Sequence, residues 1–258
     1  MAPTTQPKTL QGVIAAAATP ITATGQIDTT AYLAHCTWLF EHGCDGINML
    51  GTTGEANSLP FEARRALLDA VSASSLPLPR LMVGTGGCAL ADTVTLTRHA
   101  VECGFAGQLI LPPFYYKPVS DDGLFAFFAR LIDSVNDTRL QVYLYNFPQL
   151  TGLHFSVELI QRLCSAYPAV VVGLKDSSGN FDNAKTIAAA CPGFTVLPST
   201  EGWLLHGREH GFAGCISATA NLTAAEANRV WHASGAADAE TLQQRVAAVR
   251  DHITSFPL

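Results

Sequence analysis

Charge is scarce in this chain: Asp, Glu, Lys and Arg make up 14% of its 258 residues. Fifteen basic residues face 21 acidic ones, the net charge is −6, and no basic run is interleaved with aromatics. A phosphate backbone finds no counter-charge here, so nucleic acid is not expected as a partner. Long apolar runs are missing too. Stretches such as Val170 to Leu174, preceded by Ala169, fall far short of the ~20 residues that cross a bilayer, and a soluble protein is expected. Met1 to Leu10 carries neither a basic n-region nor an apolar h-region with a cleavage site, which points to the cytoplasm. The seven cysteines (Cys36, Cys44, Cys88, Cys103, Cys164, Cys191, Cys215) are odd in number and scattered, with no C-x-x-C pair, so neither a disulfide framework nor a zinc site is expected. Among apolar neighbours they read as small core residues. The eight histidines are dispersed without an H-E-x-x-H motif; His206 and His210, spaced i, i+4, bring no third ligand and read as helix-surface residues. No metal is expected.

What the chain does have is apolar bulk, 48% of its residues, enough to bury a large core. Short β-prone runs alternate with segments of helical apolar spacing. The runs are Val13 to Ala18, Gly46 to Leu50, Leu81 to Gly84, Gln108 to Leu111, Gln141 to Tyr145, Val170 to Lys175, Thr195 to Pro198 and Gly214 to Ser217. Helices are predicted near Thr30 to His42, Pro60 to Ser72, Ala89 to Cys103, Asp121 to Val135, Ser156 to Ala166, Phe181 to Ala190, Glu201 to His210 and Thr223 to Ala233. Eight such units are the number that closes an α/β fold into a (β/α)8 TIM barrel. An open doubly wound sheet is the alternative, but no G-x-G-x-x-G turn follows the first run and no Pro/Gly/Ser-rich linker divides the chain. A single domain over residues 1–258 is expected, with a barrel over about 10–235 and a short C-terminal helical extension over 236–258, its helix near Ala239 to Phe256.

In such a barrel the reactive groups sit at the carboxyl ends of the strands. The second run ends in Gly51-Thr52-Thr53-Gly54-Glu55, a small-residue turn whose amides and hydroxyls can hold a carboxylate, or simply cap a helix. The fifth ends in Tyr145-Asn146-Phe147-Pro148; alternation puts Tyr143 and Tyr145 on one face, with Tyr145 nearer the rim. The sixth delivers Lys175 straight after a buried run and before Asp176-Ser177-Ser178-Gly179. Burial disfavours an ammonium, and a neutral amine condenses with ketones. The competing reading is a solvated Lys175 paired with Asp176 or Glu201.

These segments, together with Thr151-Gly152 and Ile216-Ser217-Ala218-Thr219-Ala220-Asn221, resemble in order and spacing the dihydrodipicolinate synthase/N-acetylneuraminate lyase family, over about residues 10 to 250. That resemblance implies a class I aldolase or lyase working through a Schiff base to pyruvate, without a cofactor, usually as a homotetramer; a tetramer or dimer is expected. It makes Lys175 the Schiff-base lysine and Tyr145 the proton shuttle. Thr52 and Thr53 would hold the pyruvyl carboxylate, with Thr53 also relaying protons. Tyr115, beside Tyr116, would reach into a neighbouring subunit's site, and Ile216 would present its carbonyl near the lysine and tyrosine. Leu150, Ser199, Thr200, Glu201 and Thr219 would line the end of the pocket that takes the aldehyde. Two departures stand out. Leu150 replaces the arginine that binds the aldehyde's carboxylate in dihydrodipicolinate synthases, with Lys117 or Arg208 as stand-ins, and the chain stops at Leu258, several helices before family members usually do. The expected substrate is therefore a 2-oxo acid such as a 2-keto-3-deoxy sugar acid. Dihydrodipicolinate synthesis is the runner-up, followed by a 2-oxo acid dehydratase or a non-catalytic 2-oxo acid-binding barrel.

Overall fold

A computed structural model describes residues 9–233 and 237–256. The expectations for residues 1–8, and for 236 and 257–258 of the extension, lie outside the described residues. Eight strands form one parallel sheet: β1 (Gly12–Ala16), β2 (Gly46–Met49), β3 (Leu81–Gly84), β4 (Gly107–Ile110), β5 (Val142–Asn146), β6 (Val171–Asp176), β7 (Thr195–Pro198) and β8 (Gly214–Ser217). Their hydrogen-bonded order is β7-β6-β5-β4-β3-β2-β1-β8. The ring closes just before β8, where Val196 bridges Phe212 in parallel and the Ala213 amide donates to the Val196 carbonyl over 2.9 Å. This is a TIM barrel.

Ten helices accompany the strands among the described residues: α1 (Thr29–Glu41), α2 (Phe61–Ser72), α3 (Leu90–Cys103), α4 (Asp121–Val135), α5 (Pro148–Thr151), α6 (Val157–Ala166), α7 (Phe181–Ala190), α8 (Leu204–Glu209), α9 (Ala220–His232) and α10 (Ala239–Thr254). Side-chain caps start several of them. Asp28, Ser120, Ser156 and Asn180 accept from the amides of Ala31, Gly123, Leu159 and Asn183, each satisfying an otherwise orphaned donor. Most boundaries fall within two residues of expectation, and the larger departures lie in three segments. The segment after β7 opens as a 3-10 turn, Glu201–Trp203, before α8, and α9 begins at Ala220 rather than Thr223. The four-residue α5 was not foreseen, being too short for periodicity, although Pro148 at its start and Gly152 in the left-handed region (φ 65°) at its end are helix punctuation. None of the described helices is long and apolar enough to cross a membrane.

Every strand residue is buried, because each strand packs inward on the barrel and outward on helices. Inside lie Ile14, Ala16, Met82, Leu109, Tyr143, Tyr145, Leu197 and Ile216. Tyr143 shows how sequence shapes this interior. Its ring fits because the facing residues on β4 and β6 are glycines: a Cβ on Gly107 would sit 2.6 Å from Tyr143 Cε2, and one on Gly173 2.7 Å from Cδ1. Its hydroxyl accepts from the Leu10 amide at 3.0 Å, tying the chain entering β1 to the amino-terminal end of the barrel. Two residues further along β5, Tyr145 therefore stands toward the carboxyl end.

Candidate active site

Lys175 is 4% exposed and lies beside Tyr145 on the neighbouring strand, the two being register partners. Its Nζ donates to Tyr145 Oη over 3.1 Å and lies 4.4 Å from the centre of the same ring. Tyr145 Oη also pairs with Thr52 Oγ1 at 3.1 Å, so residues from the turn after β2, the end of β5 and the end of β6 form one chain of polar atoms. Burial by itself raises the Tyr145 phenol, but the Lys175 charge and hydrogen bonds with Thr52, Lys175 and Ser177 outweigh it and hold the group below the usual tyrosine value of 10. Phe147, partly buried against the same interior cluster, stacks on Tyr145 with centroids 5.8 Å apart.

Neither carboxylate that might have neutralised Lys175 does so. Asp176 points to the other face of β6, accepting from Asn146 Nδ2 at 2.8 Å, the Ser178 amide at 2.9 Å and Asn183 Nδ2 at 3.1 Å. Glu201, fully buried, accepts from Ser217 Oγ and Thr219 Oγ1, from Thr223 Oγ1 at 2.7 Å, and from Arg250 Nη1 at 3.2 Å. Among the described residues Lys175 makes no ion pair. A buried amine with a phenol as its hydrogen-bond partner is suited to attack a carbonyl and pass the released protons to an adjacent oxygen.

The turn after β2 is held by its small residues. A Cβ on Gly54 would lie 2.9 Å from Thr19 Oγ1 and 3.0 Å from the Ala17 carbonyl, and Thr19 Oγ1 donates to the Gly54 carbonyl at 2.8 Å. Among the described residues the Thr52 and Thr53 amides have no protein acceptor, and both side chains are half-buried. A cleft of about 620 Å³, bordered by Thr9, Cys164, Val172, Cys191 and Phe194, involves none of these groups; it opens toward the amino ends of β6 and β7, the other end of the barrel.

Residues 9–258 match the sequence profile of the Dihydrodipicolinate synthetase family. The chain belongs to that family. It is 34% identical over 214 residues to the 4-hydroxy-tetrahydrodipicolinate synthase of Rhizobium meliloti (strain 1021), covering 82% of this chain and 71% of that protein. It is also 33% identical over 216 residues to YagE of Escherichia coli (strain K12), provisionally named a 2-dehydro-3-deoxy-D-gluconate aldolase, covering 82% of this chain and 70% of YagE. The crystal structure of dihydrodipicolinate synthase from Agrobacterium tumefaciens str. C58 superposes with a TM-score of 0.87 at 32% identity, covering 95% of this chain and 84% of that one. YagE has a crystal structure in complex with pyruvate (TM-score 0.85, 29% identity, covering 95% of this chain and 83% of that one). Members of the family are class I lyases and aldolases acting through a lysine Schiff base, and this chain is an enzyme of that kind.

The structure distributes the remaining expected site residues of this family member unevenly. Ile216 is buried in the barrel interior with Tyr145. Ser199 follows β7, its amide donating to the Asp176 carbonyl at 2.9 Å. Leu150 lies on α5 and is 59% exposed. Tyr115 is 69% exposed in the loop after β4, edge-on to Tyr116 at 5.0 Å, and within this chain does not join the Lys175 cluster. Lys117 Nζ donates to the Thr151 carbonyl at 3.0 Å, beside Leu150, whereas Arg208 is committed elsewhere, bonding the Trp231 carbonyl at 2.7 Å and covering the Trp231 ring. Glu201, expected to line the pocket, has its carboxylate enclosed by hydroxyls and Arg250 instead. The sequence carried no sign of this, since Arg250 arrives from α10, 49 residues further on. Asn221 of the last motif is likewise structural: its Nδ2 donates to the Ala16 carbonyl at 2.8 Å and its Oδ1 accepts from the Ala18 amide at 3.3 Å, joining the end of β1 to α9.

Proposed function

We propose that Lys175 forms the imine with pyruvate or a pyruvyl-bearing 2-oxo acid, and that the enzyme cleaves or makes a 2-keto-3-deoxy sugar acid. The observation that carries this reading is the buried Lys175 amine, without a carboxylate partner and 3.1 Å from Tyr145 Oη. Attack of Nζ on the ketone carbon, followed by loss of its oxygen as water, yields an iminium, and Tyr145 supplies and recovers the protons. In the cleavage direction Tyr145, whose phenol is held below its ordinary value, takes the C4 hydroxyl proton. The C3–C4 bond then breaks, its electron pair moves into the iminium to give an enamine, and the aldehyde departs. Protonation at C3 and hydrolysis release pyruvate and restore Lys175. The Thr52 and Thr53 amides and hydroxyls hold the pyruvyl carboxylate, and Thr53 joins the proton relay. The imine itself is the electron sink, so the reaction asks for no metal or organic cofactor.

Leu150 supports a hydroxylated aldehyde over one bearing a carboxylate, because a leucine cannot make the two parallel hydrogen bonds of an arginine. Ser199 and Leu150 border that end of the pocket in this reading, and the Ile216 carbonyl lies near Lys175 and Tyr145. The exposed Tyr115 reaches the site of a second subunit, making the enzyme a homo-oligomer, a tetramer or dimer, of single-domain chains in the cytoplasm. Lys117, seated beside Leu150, favours one competing reading, 4-hydroxy-tetrahydrodipicolinate synthesis, by offering a cation near the missing arginine. A panel of 2-keto-3-deoxy acids, assayed for pyruvate release alongside condensation of pyruvate with aspartate semialdehyde, separates the two. A higher specificity constant for aspartate semialdehyde than for every sugar acid overturns the first reading.

A further inference from the structure

The last turns of α2 and α3 bring together three side chains that the aldolase chemistry leaves unused. His99 and Cys103, four residues apart on α3, project from one helix face. Asp69 on α2 meets them: its Oδ1 lies 2.7 Å from His99 Nε2, and Cys103 Sγ lies 3.7 Å from the same nitrogen. A carboxylate oxygen, an imidazole nitrogen and a sulfur thus all fall within 4.8 Å of one another. Metal–ligand bonds of about 2.0–2.3 Å put adjacent ligands of a tetrahedral ion roughly 3.3–3.7 Å apart. The Cys103–His99 spacing of 3.7 Å already matches, the Asp69–His99 contact of 2.7 Å has to open by about half an ångström, and Asp69 and Cys103 lie within 4.8 Å of each other.

The surroundings suit a cation. The helices run antiparallel to the strands, so their carboxyl ends lie at the end of the barrel opposite Lys175, and the last turn of a helix carries partial negative charge. Burial raises the Cys103 thiol; a hydrogen bond with Ser72 lowers it, the Asp69 and Glu102 charges add to the rise, and the Arg65 charge opposes them. The Asp69 side chain is 57% exposed and that of His99 18%, which leaves water access for a fourth ligand. Thiolate and imidazole together select a borderline-soft ion over Mg²⁺ or Ca²⁺.

We propose that Asp69, His99 and Cys103 form a binding site for a divalent cation of the Zn²⁺ type, with water as the fourth ligand, fastening α2 to α3. As the sulfur–metal bond forms, the Cys103 thiol proton passes to solvent. The site stands apart from Lys175, so its test does not depend on the aldolase reading.

The full-length protein, stripped with a chelator and kept reduced, is titrated with Zn²⁺ by calorimetry and with Co²⁺ by absorption. The expected result is saturable binding of about one equivalent, a cobalt–thiolate charge-transfer band, and a higher melting temperature with Zn²⁺ than without. Cys103→Ser should remove the band, and Cys103→Ser, His99→Gln and Asp69→Asn should each weaken Zn²⁺ binding roughly tenfold or more, whereas Cys88→Ser, changing an exposed thiol elsewhere, should leave it intact. Cys103→Ser should also retain pyruvate-releasing activity and helical circular dichroism, so a misfolded variant is recognised and replaced by His99→Gln. Absence of saturable binding, or equal affinity in the wild type and the Cys103 and His99 variants, overturns the proposal and leaves Asp69–His99 as a hydrogen-bonded contact between two helices.

Discussion

Removing one oxygen atom, in Tyr145→Phe, separates packing from chemistry at the centre of the barrel. The ring that fills the interior and stacks on Phe147 is retained. Lost are the acceptor for Lys175 Nζ at 3.1 Å and the link to Thr52 Oγ1 at 3.1 Å. Thr52 is half-buried and can bond to water, but Lys175, 4% exposed, is left without its partner, at a cost of about 1–3 kcal/mol for an unsatisfied buried group. The kinetic loss should be larger, roughly 10²–10⁴ in kcat, the usual worth of a positioned acid/base. A pH effect accompanies it. Since the folded-state value of Tyr145 is depressed, the folded protein binds fewer protons than the unfolded chain between that value and 10. Over that window the wild type should gain stability relative to Tyr145→Phe as pH rises, and lose the gain as pH falls. Steady-state pyruvate release and denaturant melts at several pH values read both effects. A kcat within a few-fold of wild type would refute the shuttle role and make Tyr145 a packing residue.

Other outcomes follow from the same geometry. Arg250→Met strands a fully buried Glu201 carboxylate and should destabilise by roughly 3–5 kcal/mol in urea melts; adding Glu201→Gln should recover part of it, and a neutral single variant contradicts the pairing. Gly107→Ala drives a Cβ to within 2.6 Å of Tyr143 Cε2 and should cost about 1–3 kcal/mol, read as a lowered melting temperature; an unchanged melt means the Tyr143 ring is not so confined. Leu150→Arg should raise the specificity constant for aspartate semialdehyde about ten- to a hundredfold. No gain there detaches residue 150 from recognition of the aldehyde.

The barrel was legible because both faces of every strand are buried, so each strand appears as a short, nearly continuous apolar run between segments of helical spacing. Lys175 was legible for the same reason, as a charge at the end of such a run. Its partners were less so. Sequence proximity offered Asp176, which strand alternation turns to the opposite face, and loop position offered Glu201, which an arginine from the distant α10 encloses. The i, i+4 pair His99 and Cys103 was available to the same helical rule that singled out His206 and His210, but its third member lies 30 residues earlier, on another helix. Contacts between separate elements carry no local period.

In the proposed reaction Lys175 is the nucleophile. Incubating the enzyme with pyruvate and sodium borohydride, then measuring intact mass and mapping peptides, tests it most directly. One pyruvate-dependent reduced adduct is expected, on Lys175, absent from a folded Lys175→Ala variant. An adduct on Lys117 or Lys185, or none at all, would contradict it.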